Sequence, residues 1–295
     1  HRGEESAGIA SSDSTGIIHH KGLGLVSDVF TPDILKNLER PNAIGHVRYS
    51  TYGTSNIDNA QPLVVIYSRG EVAIAHNGQL LDASKLRDEY EQHGSIFHTT
   101  SDTEVIVHLM AKPSHAARDN LSHVLNHLKG AFSLLFLTKD EMVGVRDPNG
   151  FRPLSLGKVN GSYVIASETC ALNQVGAEYI RDIEPGEVVY VNKYGLRSEI
   201  YCSPRRIRPS YCIFELIYVS RPDSVVFGES VHMFRKRLGM RLAEEFPVDA
   251  DIVIAVPEGG NSAALGYSHV SGIPLERGFI RNHYVGRTFI QPEQA

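Results

Sequence analysis

Residues 74–80, IAHNGQL, constrain this chain more than any other stretch. An apolar run through Val72 and Ile74 ends in His76-Asn77-Gly78, and a helix-like segment follows. Read locally, a strand that breaks into Asn-Gly is a hairpin turn. A buried strand ending there also leaves backbone N–H groups unpaired, and such groups can receive a developing oxyanion. Upstream, Gly45-His46-Val47-Arg48-Tyr49-Ser50-Thr51 supplies a fixed positive charge, and downstream Ser101-Asp102 supplies a negative one. The three features together suit a small zwitterion with a reactive carbonyl, such as glutamine.

At 295 residues the chain can hold one large domain or two smaller ones. A hydrophobic share of 42% and a charged share of 21% are ordinary for a globular protein. The net charge is −5 and no basic block stands out, which argues against nucleic acid and anionic membrane as partners. No apolar run approaches the roughly 20 residues that cross a bilayer, and no signal peptide is visible. Cys170, Cys202 and Cys212 make no disulfide framework and fit a reducing, cytoplasmic compartment. His123 and His127 stand four apart on an expected helix with His115 nearby. No Cys or acidic partner completes a zinc spacing, so they read as a solvated face. The chain starts at His1 rather than Met, which reads as a processed terminus or a fragment, and ends in FIQPEQA without helix or tail character, which reads as cut.

Thr31-Pro32-Asp33 opens a helix, with Thr31 as cap and Pro32 at the first helical position. Residues 62–66 and 71–75 read as strands around a Ser68-Arg69-Gly70 turn. Residues 82–93 read as an amphipathic helix with Leu81, Leu86 and Tyr90 inward. Ser101-Asp102-Thr103-Glu104 has the form of a capping box before a helix over 105–111, so locally Asp102 is a helix-start carboxylate. Strands are expected over 132–138, 142–146, 154–159, 162–167 and 188–191, with Asn160-Gly161 as a hairpin turn. Strands with interspersed helices make the first 200 residues a layered α+β domain. Residues 201–209, YCSPRRIRP, change composition and mark the boundary, giving domains 1–205 and 206–295. Beyond it, 230–246 is an amphipathic helix with Val231, Phe234, Leu238, Leu242 and Phe246 on one face. Residues 251–256, DIVIAV, read as a strand buried on both sides. The glycine-bearing loop 257–261 and a helix over 262–270 complete a strand–loop–helix unit, of the kind that places phosphates at a helix amino terminus.

The motifs HRGEESAGI (1–9), GHVRYST (45–51), AHNGQL (75–80), SDTE (101–104) and RDPNGFRPL (146–154) resemble those of class II, amino-terminal-nucleophile glutamine amidotransferases. CIFELIYVSRPDS (212–224), PVDADIVIAVP (247–257), AALGY (263–267) and RNHYVGRTFIQP (281–292) resemble the amidophosphoribosyltransferase family. The resemblance covers essentially the whole chain in one order. It implies an αββα amidotransferase domain of the amino-terminal-nucleophile type, followed by a truncated α/β type I phosphoribosyltransferase domain. The implied activity is a pentosyl transfer that opens purine biosynthesis. Glutamine is hydrolysed, and its ammonia displaces pyrophosphate from 5-phosphoribosyl 1-diphosphate to give 5-phosphoribosylamine. The implied partners are those two substrates, purine nucleotide feedback inhibitors and further copies of the chain. Magnesium (Mg2+) would hold the diphosphate. A sugar-phosphate-aminating amidotransferase would share the first domain but not YVGRTFIQP; a non-catalytic paralogue would share both halves.

By the same resemblance, Arg48 matches the arginine that pairs with the glutamine α-carboxylate, and Thr51 a neighbour in that pocket. Arg2 lies beside it. Asn77 and Gly78 match the oxyanion hole, and Asp102 the carboxylate that receives the α-ammonium. Tyr284 and Arg287 fall on the loop that closes over the phosphoribosyl substrate and excludes water. Cys212 matches the first ligand of a [4Fe-4S] iron–sulfur cluster in the cluster-bearing branch; cluster-free relatives keep a packed cysteine there. The family's nucleophilic cysteine would precede His1 and its acidic ribose-binding loop would follow Ala295. Residues 1–295 alone are therefore expected to complete neither half-reaction. Three positions depart from the family pattern: Gly259 stands where Ser or Thr is usual, His283 where Arg is, and Glu4 where Gln is.

Overall fold

The computed structural model describes residues 1–49, 56–112 and 120–282, which fall into two compact units. The larger is built from Arg2–Leu154 and Asp182–Tyr211. Its first sheet holds β1 (Ser6–Asp13), β2 (Gly16–Leu23) and β3 (Asn42–Arg48) in the order β2-β1-β3, both pairings antiparallel. Two short helices, α1 (Val26–Val29) and α2 (Pro32–Asn37), lie between β2 and β3. Thr31 caps α2, its hydroxyl accepting from Ile34 N–H at 3.4 Å, and Pro32 stands at the helix start as expected.

The second sheet begins with β4 (Leu63–Tyr67), β5 (Gly70–Leu80), β6 (Gly130–Leu137) and β7 (Glu141–Arg146). After β8 (Ser155–Val159), β9 (Ser162–Ala166) and β10 (Glu178–Asp182), it is completed by β11 (Glu187–Asn192) and β12 (Gly195–Ile200). Its order is β12-β11-β7-β6-β5-β4. The helices α3 (Ala83–Gln92), α4 (Thr103–Ala111) and α5 (Asn120–His127) cover one face. There Ile74, Phe132, Leu134 and Val145 pack with Tyr90, Ile106, Val124 and Leu125. The other face meets the first sheet through Ala73, Ala75 and Leu137 against Ala10 and Ile44. On the far side of the first sheet Ala7 packs with Val29, Phe30 and Leu38. The layers are thus helix, sheet, sheet, helix, and β5 reaches both interiors because successive side chains point to opposite faces.

The smaller unit takes His1, Ser155–Arg181 and, of the described residues, 212–282. The units therefore change at 154/155, 181/182 and 211/212, whereas the composition shift suggests a single change after residue 205. The reason is local: α6 (Thr169–Gln174) is tied to the later segment. Val225 N–H donates to the Thr169 hydroxyl at 2.8 Å, and the Glu168 carboxylate accepts from Arg221 N–H at 2.9 Å and the Ser224 hydroxyl at 2.8 Å. Asn160 and Gly161 make the β8–β9 turn with φ of 48° and 84°, the left-handed pair a tight hairpin needs.

Five local expectations fail, the last at the start of the helix after Asp102. Leu81 is 79% exposed rather than inward. Helix α7 (Val231–Glu245) buries Val231 of the expected stripe, with Phe234 packed in the same cluster, but its other buried residues are Arg235, Gly239 and Ala243, and Leu238, Leu242 and Phe246 are exposed. Small residues win that face because α8 (Asn261–Ser271) comes too close for side chains. A Cβ on Gly239 would strike the Ala263 carbonyl, and one on Gly266 the Lys236 carbonyl. The run DIVIAV contributes only Val253–Ile254, paired in parallel with Leu275–Glu276, and Val256 is 72% exposed. A two-stranded ladder has too little area to bury a strand on both sides. The fourth concerns residues 77–78 and bears on the site.

Candidate active site

Asn77-Gly78 is not a turn. Strand β5 runs through it to Leu80, with Asn77 opposite Ser133 and Gly78 opposite Phe132 on β6. Gly78 has φ +151°, and a Cβ there would collide with the Ala131 carbonyl and crowd the His76 ring. Only glycine lets the two strands approach here. The sequence signal was real, but it marked a close approach in mid-strand and not a chain reversal.

That approach leaves a donor exposed to one side. Asp147 N–H donates to the Phe132 carbonyl at 2.9 Å, so Phe132 turns its backbone toward the end of β7, and Gly78 turns its own away from β6. On that same edge His76 N–H reaches Gln61 Oε1 at 2.7 Å, and Leu80 N–H reaches Asp102 Oδ2 at 2.8 Å. Gly78 N–H lies between these two occupied donors. β4 stops short of it, its last pairing being Leu63 with Ile74. Beside it, the amide Nδ2 of Asn77 is buried with no hydrogen-bond partner among the described residues. By strand alternation Asn77 shares the face of Ala73 and Ala75, between the two sheets. A buried amide donor left unpaired costs about 1–3 kcal/mol, so its natural occupant is an incoming acceptor.

The charged ends stand close by. Arg48, at the end of β3, is buried, with Nη1 3.7 Å from Glu5 Oε2. Burial pulls its pKa below the usual arginine value, and the charges of Glu5 and Asp102 work against that pull. It is not a surface ion pair. Asp102 is buried as well and does not cap the helix that follows. The expected capping box does not close: Glu104 turns back to accept from His98 and Thr99 N–H at 2.8 and 2.7 Å. Those bonds, with the reciprocal Asn59–Thr100 pair at 2.7 and 2.9 Å, stiffen the loop that presents Asp102. Burial alone would raise the Asp102 pKa, but His76 beside it and the N–H groups of Leu80 and Thr103 hold it below the ordinary aspartate value.

Glu5, His46 and His76, to which the motifs assigned no task, complete the setting together with Gln61, which lies outside the motifs. Glu5 balances Arg48. His76 sits on the helix side, Nδ1 3.2 Å from the Thr103 hydroxyl and 3.7 Å from Asp102 Oδ1. Gln61 closes a ring, accepting from His76 N–H and donating to Thr103 Oγ1 at 3.1 Å. His46 donates from Nε2 to the His76 carbonyl at 3.1 Å; a carbonyl only accepts, so Nε2 carries the proton. Its place on the Arg48 face could have been read from the i, i+2 spacing on a strand. Arg2 is half-buried and near enough to His46 for its charge to act there. Thr51, His283, Tyr284 and Arg287 lie outside the described residues.

His46 carries a pH dependence. Burial, then the charges of His76, Arg48 and Arg2, push its pKa down to about 4, with the bond to the His76 carbonyl opposing them. The unfolded chain, titrating near 6.5, binds more protons in between. The contribution is therefore complete above about pH 6.5 and is lost as pH falls toward 4, on the order of 3 kcal/mol. Urea unfolding at pH 4.5 and 7 should show this slope, and His46→Gln should reduce it.

Cys202 belongs to the helix-side core, on the other face of the sheet from Asn77. Cys170 donates to Glu168 Oε2 at 3.5 Å, and Cys212 is a half-buried free thiol. The exposed rings of His123 and His127 lie 4.3 Å apart on α5, a solvated pair as expected.

A family model described as a glutamine amidotransferase domain matches residues 46–174. Amidophosphoribosyltransferase of Bacillus subtilis (strain 168) is 48% identical, over 100% of this chain and 62% of its own length. The chloroplastic amidophosphoribosyltransferase of Glycine max is 50% identical, over 100% of this chain and 52% of its own. The solved structure of glutamine phosphoribosylpyrophosphate amidotransferase from B. subtilis, complexed with ADP and GMP, matches with a TM-score of 0.91 at 47% identity. It covers 99% of this chain and 64% of that one. The chain thus spans between half and two thirds of the proteins it matches.

Proposed function

This chain belongs to the amidophosphoribosyltransferase family, and we propose that the protein carrying it makes 5-phosphoribosylamine from glutamine and 5-phosphoribosyl 1-diphosphate. The observation that carries this reading is the unfilled Asn77 Nδ2 beside the free-edge Gly78 N–H, with Arg48 and Asp102 close by. The glutamine α-carboxylate takes the Arg48 guanidinium, whose planar fork matches it. The α-ammonium takes Asp102. The amide oxygen meets the two donors as negative charge grows on it, and donors already fixed by a sheet need no reorganisation. The attacking thiol is supplied elsewhere in the whole protein. Asn77→Ala should lower kcat for glutamine hydrolysis by about 10²–10³-fold and leave ammonia-dependent synthesis intact, which a parallel assay with the two nitrogen sources reads.

The functional division is kept near residue 205: the glutamine residues precede it and the phosphoribosyl segments follow. There the loop before α8 offers Gly259, where a Cβ would meet nothing within 4 Å and φ is ordinary. Gly259→Ser should leave stability within about 1 kcal/mol and lower the magnesium concentration for half-maximal synthesis, as a magnesium titration would show. Among the described residues no group of metal ligands forms around Cys212, and further cluster ligands would have to come from outside them. Among the described residues the one group with metal-ligand spacing is His1, Glu168 and Cys170. Its Glu168 carboxylate is already filled by donors from His1, Arg221 and Ser224.

Purine nucleotides as regulators, a homo-oligomeric state and a cytoplasmic location complete the proposal. No helix among the described residues is long and apolar enough to cross a membrane. The test is pyrophosphate release by the full-length protein from 5-phosphoribosyl 1-diphosphate, with glutamine or ammonium as nitrogen source. Release with both is expected. Glutamine hydrolysis without any phosphoribosyl chemistry would point to another class II amidotransferase, and neither activity in a folded protein to a non-catalytic paralogue.

A further inference from the structure

We infer that His46 is a positioning residue, a strut that fixes the distance between the carboxylate grip on β3 and the oxyanion donors on β5. The inference rests on the glutamine-site reading above. Ile44, His46 and Arg48 are alternate residues of β3 and share the face turned to the second sheet, where Ile44 packs against Ala73 and Ala75. One step further along, His46 Nε2–H holds the carbonyl of His76 at 3.1 Å. That carbonyl belongs to the peptide leading directly into Asn77. Two residues beyond His46, Arg48 takes the other end of the substrate. The bond crosses between sheets beside the apolar Ile44, Ala73 and Ala75 contacts; two other bonds between the sheets, Ser12 Oγ to the Thr138 carbonyl and Ile17 N–H to Glu71 Oε2, both at 2.8 Å, lie at the opposite end of β5.

The rest of the imidazole supports this. Nδ1 is buried and has no hydrogen-bond partner among the described residues. A residue selected for stability would not leave an acceptor stranded at a cost of about 1–3 kcal/mol. Hydrophobic packing is non-directional, whereas a single hydrogen bond fixes both a length and a direction. The strut faces His76, Arg48 and Arg2, and burial among them keeps it a single neutral tautomer, so its geometry does not alternate.

The experiment compares His46→Gln and His46→Asn in the full-length protein. Glutamine carries an amide N–H about as far out as the imidazole Nε2; asparagine is too short. We expect His46→Asn to lower kcat for glutamine hydrolysis by about 10–100-fold, the scale of a sub-ångström to ångström misplacement. KM should change less than about 3-fold, since Arg48 and Asp102 remain. Ammonia-dependent synthesis should hold, and His46→Gln should restore most of the kcat. Equal loss with both nitrogen sources, a loss confined to KM, or no rescue by glutamine overturns the inference. Hydrogen exchange at the Asn77 and Gly78 amides is read in the same variants and needs no turnover. Faster exchange in His46→Asn, reversed in His46→Gln, supports the strut even where the wild type hydrolyses no glutamine. In that case the amidotransferase reading alone has failed. Unchanged exchange in His46→Asn overturns the strut.

Discussion

Arg48→Ala should abolish glutamine-dependent synthesis in the full-length protein and spare synthesis from ammonia. A site built around a charged hydrogen-bonding partner loses far more than one apolar contact when that partner goes. A fall in kcat/KM for glutamine of about 10³–10⁴-fold is expected. Part of the effect is electrostatic: the guanidinium is the positive charge on which Glu5 and Asp102 both act, and Glu5 is itself buried. Removing one member of a buried pair commonly costs about 3–5 kcal/mol of stability. Arg48→Lys is therefore the companion variant. It keeps the charge and the fold but not the bidentate fork, and should recover stability while leaving glutamine use well below wild type. Loss of both nitrogen sources in the lysine variant would contradict separate glutamine and phosphoribosyl sites.

The second large effect is steric. Gly78→Ala places a methyl against the Ala131 carbonyl at φ +151°, where β5 and β6 are closest. The strands must part or the backbone must rotate, and either displaces the Gly78 N–H and the Asn77 amide together. Destabilisation of about 3 kcal/mol or more is expected, read as a fall in the urea midpoint, with glutamine hydrolysis lost even where the protein still folds. The contrast with Gly259 is the control. The residue type is the same, but open space there makes substitution cheap. A Gly78→Ala variant with wild-type stability would mean that the strands are not in this register.

Of the residues the motifs single out for glutamine, Arg48 and Asp102 lie within electrostatic reach of each other, and Asp102 accepts from Leu80 N–H, two residues beyond Gly78. Arg48, Asn77, Gly78 and Asp102 lie at the ends or edges of β3, β5 and α4, close enough to act on one small zwitterion. What the motifs did not show is how each is held. Asp102 looked like a helix cap because Ser-Asp-Thr-Glu is the pattern of one; the structure spends Glu104 on the preceding loop and Asp102 on Leu80. Helix α7 looked amphipathic through its large residues, yet it buries its small ones, since contact distance and not hydrophobicity selected that face.

The division follows from the range of the forces. Alternation, glycine placement and charge are properties of neighbours in the chain, so the sequence by itself determined the layered α+β class, the strand character of residues 71–75 and the presence of a carboxylate and a guanidinium flanking Asn77-Gly78. Whether Asn-Gly turns or continues depends on a partner more than fifty residues away. Ala131 comes so close that only glycine fits, and the β5–β6 ladder carries the strand on to Leu80. Likewise the Gly78 N–H has no β4 partner because that ladder ends at Leu63 and Ile74, and His46 can reach the His76 carbonyl because two sheets stack. Those facts belong to pairing and packing between distant segments, and only the tertiary structure decided them.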